Sequence, residues 1–267
     1  MKRIQLFEFE DLTWFPDWLR NCMTNLIVVL QRMMGTNEVV SDLIEASIKG
    51  KNIDQIVDLG SGSGGSMPEV IRLLKKNGNR DIALLMTDLY PNKEAVKRFN
   101  SDTDESISYN AHSVDATNLE NAPSGLKTMM NCFHHMRPEQ AQKILKSAQD
   151  NNQPFLVYEL AENKMPLIIW WIMLPLSLVI LIVMTLFMTP FVKPLTWKQV
   201  VFTYLIPIIP IFYAWDGQAS MPRIYAMKDV DEMINNLEST SSYIWKQGHA
   251  LNKKGKKTGT YILGMPK

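Results

Sequence analysis

The sequence predicts a doubly wound α/β fold whose sheet is parallel except for a C-terminal antiparallel hairpin. From Ile53 onward, short apolar runs alternate with helix-like segments, and this alternation is typical of βαβ units around a buried parallel sheet. Five such strands follow one another in order, which favours a doubly wound arrangement. Two long charge-free stretches then interrupt the pattern before it resumes near the C-terminus.

Each element of this sheet has a predicted range. The predicted strands are 55–59, 83–87, 106–113, 127–132 and 154–159. The predicted helices are 67–76, 93–100 and 138–150, with Pro68 and Pro138 near helix starts, where a missing amide hydrogen costs little. Near the C-terminus, 229–237 is helix-like, and 243–250 with 258–265 should form the hairpin that closes the sheet.

The segment before the sheet is predicted to be helical. Residues 17–34 place apolar side chains at helical spacing, and 38–48 favour a second helix. These elements divide the chain into an N-terminal helical lid, a cofactor-binding core, an apolar insertion, and a C-terminal helix and hairpin that complete the core. The predicted boundaries are 1–52, 53–164, 165–225 and 226–267.

The insertion is the most apolar part of the chain. Residues 165–192 contain no charged side chain, and a helix of that length would reach roughly 40 Å, enough to span a bilayer. A second charge-free stretch, 199–215, contains Pro207 and Pro210 and suits a half-span or interfacial segment. We predict a helical hairpin that inserts partly into a membrane; the alternative is a buried hairpin that forms a homodimer interface.

Composition narrows the class of partner and the compartment. Lys and Arg total 28 against 27 Asp and Glu, so a net charge of +1 offers no overall reason to bind nucleic acid. The two cysteines, Cys22 and Cys132, lie far apart and fit reduced thiols better than a disulfide. Acidic residues interrupt the N-terminal segment, so no cleaved export signal is expected. We therefore expect a catalytic domain on the cytoplasmic side.

A glycine loop that follows the first predicted strand is the strongest local signal. Glycine permits tight turns and lets a ligand approach the backbone. By spacing, Gly60, Gly62 and Gly65 match GxGxxG, the fingerprint of dinucleotide sites. Asp58 stands directly before the loop, however, and a carboxylate there suits a cationic ligand better than a pyrophosphate. An ordinary tight turn is the other alternative.

This loop resembles the first motif of the class I S-adenosylmethionine-dependent methyltransferases, an acidic residue followed by x-Gly-x-Gly-x-Gly, here Asp58 to Gly64. Asp88 ends the second strand, where that Rossmann-like family places an acid that binds both ribose hydroxyls, and Asp115 follows the third strand, where the family often contacts the adenine amine. Either acid alone also suits a helix cap or a turn. The resemblance implies S-adenosylmethionine as cofactor and these binding residues: Asp58, Gly60, Ser61, Gly62, Gly64, Asp88, Leu89, Asp115, Ala116 and Cys132.

Two histidines at the end of the fourth strand are candidates for a general base. In such methyltransferases this position lies beside the methionine part of the cofactor and the substrate, and either His134 or His135 suits a base or a hydrogen-bonded structural residue. No third ligand stands at a familiar spacing near the pair, so no metal site is predicted. Three further residues are predicted to line the substrate pocket: Trp14 in the lid, Glu159 at the fifth strand's end and Asp216 directly after the second charge-free stretch. The Trp14 segment also suits a hydrophobic staple at a helix start, and Glu159 also suits a strand cap.

The segment around Asp216 also resembles one in bacterial relatives that carry a hydrophobic insertion. The sequence therefore predicts a methyltransferase acting on a small, lipophilic acceptor at a membrane surface. Two rival functions stay open. A membrane-associated NAD(P)-dependent oxidoreductase would explain the glycine loop but not Asp58, and a non-catalytic cofactor-binding scaffold would bind the methyl donor without turnover.

Overall fold

The computed structural model describes residues 3–77, 81–238 and 240–267. Within these ranges the α-helices are α1 (Asp17–Met34), α2 (Thr36–Ile48), α3 (Met67–Lys76), α4 (Lys93–Asn100), α5 (Pro138–Asp150), α6 (Leu167–Met188), α7 (Trp197–Tyr204), α8 (Ile208–Arg223) and α9 (Met227–Asn235). Short 3-10 helices occupy Phe9–Asp11, Phe133–His135 and Thr189–Phe191. The strands are β1 (Gln55–Leu59), β2 (Ala83–Thr87), β3 (Ile107–Tyr109), β4 (Leu126–Met130), β5 (Phe155–Glu159), β6 (Tyr243–Leu251) and β7 (Lys257–Pro266).

The seven strands form one sheet in the order β3-β2-β1-β4-β5-β7-β6. The first five strands run parallel, whereas β7 pairs antiparallel with both β5 and β6. The prediction of a doubly wound parallel sheet with a C-terminal antiparallel hairpin is therefore confirmed. The third strand is shorter than predicted, because only Ile107–Tyr109 pairs with β2 and Asn110 begins a turn.

The described chain divides into two compact units. One, called the sheet unit, consists of Gly35–Ala161 and Met227–Lys267. Its core lies between the sheet and the helices, and it is made by buried aliphatic side chains such as Ile56, Val70 and Leu84. These residues lie on apolar strands and on helices with one apolar face, the pattern from which the sequence predicts the fold.

The other unit, called the apolar unit, consists of the described residues up to Met34 together with Glu162–Ala226. Helices α1, α6, α7 and α8 pack on one another there. Their shared core includes Leu26, Met188 and Ile209. Residues Leu167–Phe191 are long and apolar enough to span a membrane, with a mean hydropathy of 2.8, and only 11% of the most apolar window is buried.

The second arm of the insertion, predicted as a half-span or an interfacial segment, is a bent pair of helices. Helices α7 and α8 meet at a bend of 83°. The bend falls at Pro207, which has no amide hydrogen and disfavours helix at the residue before it. Beyond the bend α8 continues to Arg223, past the end of the charge-free stretch at Trp215. The insertion thus consists of one long helix and one bent pair.

Helix α2 belongs to the sheet unit by its packing, although the predicted lid ends at residue 52. Its apolar side chains Val39, Val40, Ile44 and Ile48 are buried in the core of the sheet unit. Gly35, in the left-handed conformation at φ 67°, separates it from α1. The division of the chain into four segments that the sequence suggests remains a prediction.

Candidate cofactor site at the carboxyl edge of the sheet

The strand order reverses direction between β1 and β4, which lie side by side although four elements of sequence (α3, β2, α4 and β3) separate them. Helices on opposite faces leave a crevice at such a switch point, and ligands of open α/β sheets bind there, outside the carboxyl ends of the strands. The glycine loop follows β1 at this point and Cys132 follows β4. The topology therefore places the sequence motif where a ligand is expected.

The backbone of the glycine loop needs its glycines. Gly60, Gly62 and Gly64 have φ angles of 72°, 52° and 108°, a region that other residues rarely adopt. A Cβ on Gly64 would lie 2.4 Å from the Phe99 ring, whereas a Cβ on Gly62 would meet nothing within 4 Å. Gly64 is thus required for packing, while Gly62 leaves open space at its Cβ position beside the loop.

Neighbouring elements hold the glycine loop through hydrogen bonds to its backbone carbonyl and N–H groups. The Tyr109 hydroxyl donates to the Gly62 carbonyl at 2.8 Å, and the Arg98 guanidinium donates to the Ser63 carbonyl at 2.6 Å. The Ser61 N–H donates to the Thr87 carbonyl at 2.9 Å. These contacts order the loop before any ligand arrives, which reduces the entropy that binding must overcome.

Asp58 is buried at the end of β1 and accepts two side-chain hydrogen bonds. The Ser61 hydroxyl donates to Oδ2 at 2.6 Å and the Thr128 hydroxyl donates to Oδ1 at 2.8 Å. Burial, with a smaller contribution from nearby Asp88, raises the pKa of Asp58 to about 6, against the effect of the two hydrogen bonds. The carboxylate is therefore held in place, but ionising it is costly without a cation.

Asp88 follows β2 and binds the glycine loop directly. Its Oδ2 accepts the Gly62 N–H at 2.9 Å and its Oδ1 accepts the Tyr90 N–H at 2.8 Å. Burial raises the pKa of Asp88, and backbone N–H groups oppose that shift. Its neighbour Leu89 is 43% exposed. Each carboxylate oxygen has a second lone pair with which to accept a ligand hydroxyl.

Asp115 is brought beside Asp88 by the turn after β3. The Val114 N–H donates to the Asp88 carbonyl at 2.9 Å. The Asp115 side chain is exposed, and its Oδ1 accepts both the N–H and the hydroxyl of Thr117 at 2.8 Å. Asp115 therefore shapes a turn in this structure. Its role with adenine, and that of half-buried Ala116, stay predictions.

Cys132 lies opposite the first glycine of the loop. Its sulfur would be 3.3 Å from a Cβ on Gly60, and the thiol donates to the Leu59 carbonyl at 3.5 Å. Burial raises the pKa of the Cys132 thiol well above its usual value, and the carboxylates of Asp58, Glu159 and Asp88 raise it further. Three acidic side chains thus act on the Cys132 thiol at one point of the crevice.

The two histidines have different surroundings. His134 is buried and paired with buried Glu159. The backbone N–H of His134 donates to Glu159 Oε1 at 3.0 Å, and the ring Nδ1 of His134 lies 2.8 Å from Glu159 Oε2. His135 is partly buried, and its ring lies 4.3 Å from that of His134. Glu159 contacts His134 through both carboxylate oxygens, and its predicted place in the substrate pocket stays a prediction.

Trp14 and Asp216, the other two residues predicted to line the pocket, belong to the apolar unit. Trp14 is 67% exposed. Asp216 is buried, and its carboxylate accepts the N–H groups of Phe9 and Glu10 at 2.8 and 3.1 Å. Asp216 therefore holds the first 3-10 helix on α8. A contact of either residue with substrate stays a prediction.

Several residues of the site are missed by sequence motifs. Thr128 is a polar residue within a buried strand, a signal that marks it as a partner for Asp58. Asn131 has a left-handed φ of 55°, and its side chain accepts the Leu160 N–H at 2.7 Å, which ties the ends of β4 and β5 together. Arg98 and Tyr109 carry no comparable signal, because their contacts with the loop depend on chain packing.

Comparisons with known proteins bear on the architecture. A scan against protein-family models finds no match, and a search of the curated proteins finds none. Among solved structures, the plantazolicin methyltransferase BpumL in complex with SAH is 10% identical, with a TM-score of 0.48, over 94% of this chain and 97% of that one. Human N-acetylserotonin methyltransferase in complex with SAM is 11% identical, with a TM-score of 0.47, over 86% of this chain and 52% of that one.

LepI in complex with SAM is 10% identical with a TM-score of 0.46, and the similarity covers 84% of this chain but 46% of the LepI chain. The chain therefore spans less than half of that relative. Identities of 10–11% and TM-scores below 0.5 do not assign a chemistry to this chain.

Proposed function

We propose that this protein is an S-adenosylmethionine-dependent methyltransferase that acts on a small lipophilic acceptor at a membrane surface. The observation that carries the proposal is the group of three carboxylates, Asp58, Asp88 and Glu159, around Cys132 at the switch point. The groups that oppose the raised pKa values of Asp58 and Asp88 are hydrogen-bond donors, not cations. A cationic ligand would supply the missing positive charge.

This charge pattern separates the two cofactors that suit a glycine loop. A dinucleotide would bring a pyrophosphate close to Asp58, where like charges repel. A sulfonium with an ammonium group would instead be attracted to the same carboxylates. The membrane-associated NAD(P)-dependent oxidoreductase is therefore the weaker alternative.

The residues present fit S-adenosylmethionine. The open space at Gly62 admits a ligand against the loop, and Asp88 has lone pairs suited to two ribose hydroxyls. Asp58 orders the loop through Ser61 and contributes negative charge. Asp115 follows the turn that is bonded to Asp88, a position suited to contact with the adenine of the cofactor. When bound, this cofactor would supply an electrophilic methyl carbon, whose bond to sulfur would break with the thioether as the leaving group.

The proton of a hydroxyl or amine acceptor would go to His134. Its Nδ1 lies 2.8 Å from Glu159, so an N–H at that position donates to the carboxylate and leaves the basic lone pair on Nε2. Glu159 thereby sets the tautomer and stabilises the imidazolium that forms. This pairing favours His134 over His135 as the base and makes Glu159 a positioning residue.

The lipophilic acceptor and the membrane are inferred from the apolar unit. Among the residues that the structure describes, most of the large exposed apolar side chains lie between positions 165 and 211. Polar side chains such as Thr185, Gln199 and Thr203 are fully buried there. Exposed apolar and buried polar groups are the arrangement that lipid favours. Cys22 and Cys132 are free thiols, which suits a sheet unit on the cytoplasmic side.

Separate titrations of S-adenosylmethionine and NAD into the purified protein test the cofactor. We expect calorimetric binding of the sulfonium only, weakened at least tenfold by Asp88→Asn. Asp54→Asn is the matched control, because Asp54 is exposed and lies just before β1, at the opposite end of that strand from the glycine loop. Binding of NAD without binding of the sulfonium would overturn the proposal.

Turnover is tested with labelled methyl donor and a lipid extract of the host. His134→Gln should lower kcat about 100-fold with little change in donor affinity, whereas exposed His112→Gln should change neither. Glu159→Gln should shift the pH dependence of kcat. Donor binding with no methylated product from any extract would favour the non-catalytic scaffold.

A further inference from the structure

The turn between β6 and β7 concentrates positive charge. It contains Lys253, Lys254, Lys256 and Lys257 around Gly255, and all four lysines are exposed. Across the ranges that the structure describes, none of them lies within ion-pair distance of a carboxylate. The whole chain has a net charge of +1, so this segment, called the lysine turn, is a local excess.

Its backbone is held by its own hydrogen bonds. The Asn252 side chain accepts the N–H groups of Lys254 and Lys256, each at 3.0 Å. The Gly255 N–H donates to the Asn252 carbonyl at 2.8 Å, and the Asn252 N–H donates to the Lys256 carbonyl at 2.9 Å. The four ammonium groups therefore extend from an ordered turn.

The turn lies at the same edge of the sheet as the candidate cofactor site. Strand β7 runs antiparallel to β5, and Thr260 pairs with Glu159 at the carboxyl end of β5. Lys257 comes three residues earlier in β7, so the turn extends about 10 Å beyond that end. Leu251, which pairs with Lys257, is 52% exposed. An exposed leucine next to a group of lysines is suited to the boundary between headgroups and acyl chains.

We propose that the lysine turn binds anionic lipid headgroups and so directs the carboxyl edge of the sheet unit toward the membrane surface. The proposal rests on the membrane association inferred above and adds its lipid specificity. Each lysine that reaches an anionic surface adds roughly a fivefold advantage in partition. The turn contains no arginine and no aromatic residue for stacking on bases, which makes lipid a better partner than RNA.

Lysine acetylation of the full chain in nanodiscs tests this proposal. The protein is incorporated into phosphatidylcholine discs with and without phosphatidylglycerol, labelled briefly, and analysed by mass spectrometry. We expect the lysine turn to be labelled at least threefold more slowly in anionic discs, and 0.5 M salt to remove the difference because it screens the attraction. Lys76, Lys93, Lys97 and Lys143, exposed on helices of the sheet unit, are internal controls whose rates should stay equal.

A variant with all four turn lysines changed to glutamine should bind S-adenosylmethionine as the wild type does, yet lose its preference for anionic discs. Changing the four control lysines instead should leave that preference intact. Equal labelling of the lysine turn in both discs, with the protein incorporated, would overturn the lipid-binding role of the turn but not membrane association. Failure to enter either disc would overturn membrane association as well. Slower labelling with RNA but not with anionic lipid would assign the turn to nucleic acid instead.

Discussion

The sheet unit and the apolar unit both bury apolar side chains, but they differ in the side chains that they expose. In the sheet unit the core is aliphatic and the acids of the candidate site lie at one edge. In the apolar unit, Glu8 and Arg223 are fully buried and paired at 2.9 Å, while Ile172 on α6 is 71% exposed. The two units therefore suit two different solvents. The sheet unit has the polarity of a protein in water, whereas α6 has the polarity of a helix in lipid.

Charging the exposed face of α6 tests this difference most strongly. Val179 lies near the middle of α6 and is 57% exposed. If that face contacts lipid, Val179→Arg should cost about 3 kcal/mol and sharply reduce the fraction of protein recovered in nanodiscs. Ile244→Arg is the control, because Ile244 is a 40% exposed residue of the sheet unit. Equal recovery of both variants and the wild type would indicate that α6 faces water or another protein copy.

Damage to the glycine loop should affect the sheet unit alone. Gly64→Ala combines a φ of 108° with a Cβ placed 2.4 Å from Phe99. We expect donor affinity measured by calorimetry to fall roughly 100-fold, about 3 kcal/mol, without loss of nanodisc incorporation. Gly50→Ala, at a φ of 75° with open space around it, should leave affinity unchanged. Unaltered binding by Gly64→Ala would remove the loop from the site.

The pH dependence of donor binding should report the charge of Asp58. Its pKa is raised to about 6, and a sulfonium favours the ionised form, so affinity is full above pH 6 and declines as pH falls through that value. Between pH 7.5 and pH 5 the Kd should rise about tenfold. Asp58→Asn should weaken binding at pH 7.5 and flatten this profile. A wild-type profile as flat as that of the variant would contradict the role of Asp58.

The smallest expected effect concerns Lys127, a fully buried cation within β4. It donates to the Pro123 carbonyl and to the Gln153 side chain, and burial lowers its pKa to about 8. Between pH 8 and pH 10 the folded state releases this proton while the unfolded state keeps it, so stability rises with pH. Relative to Lys127→Met, the wild type should gain on the order of 1 kcal/mol in chemical denaturation. A constant difference between the two proteins would mean that Lys127 keeps its ordinary pKa.

The local sequence pattern predicts a helix or strand well where the element's own periodicity is enough to define it. The predicted ranges of β1, β2, α3 and α4 agree with the structure, because buried strands and one-sided helices repeat with their own periods. The third strand is overestimated, because the chain turns after Tyr109, where the Asn110 side chain accepts the His112 N–H. The bend at Pro207 follows from local chemistry, but its angle does not.

The sequence by itself determines the fold class, the glycine loop with Asp58 before it, the acids after β2 and β3, and the length of the apolar helix, because each depends on residues close together in the chain. Only the tertiary structure decides that Thr128 holds Asp58, that Glu159 pairs with His134 and not with His135, and that the lysine turn lies at the same edge as the glycine loop. Those relations join residues 25 or more positions apart. They arise from strand order and register, which the packing of the whole sheet sets.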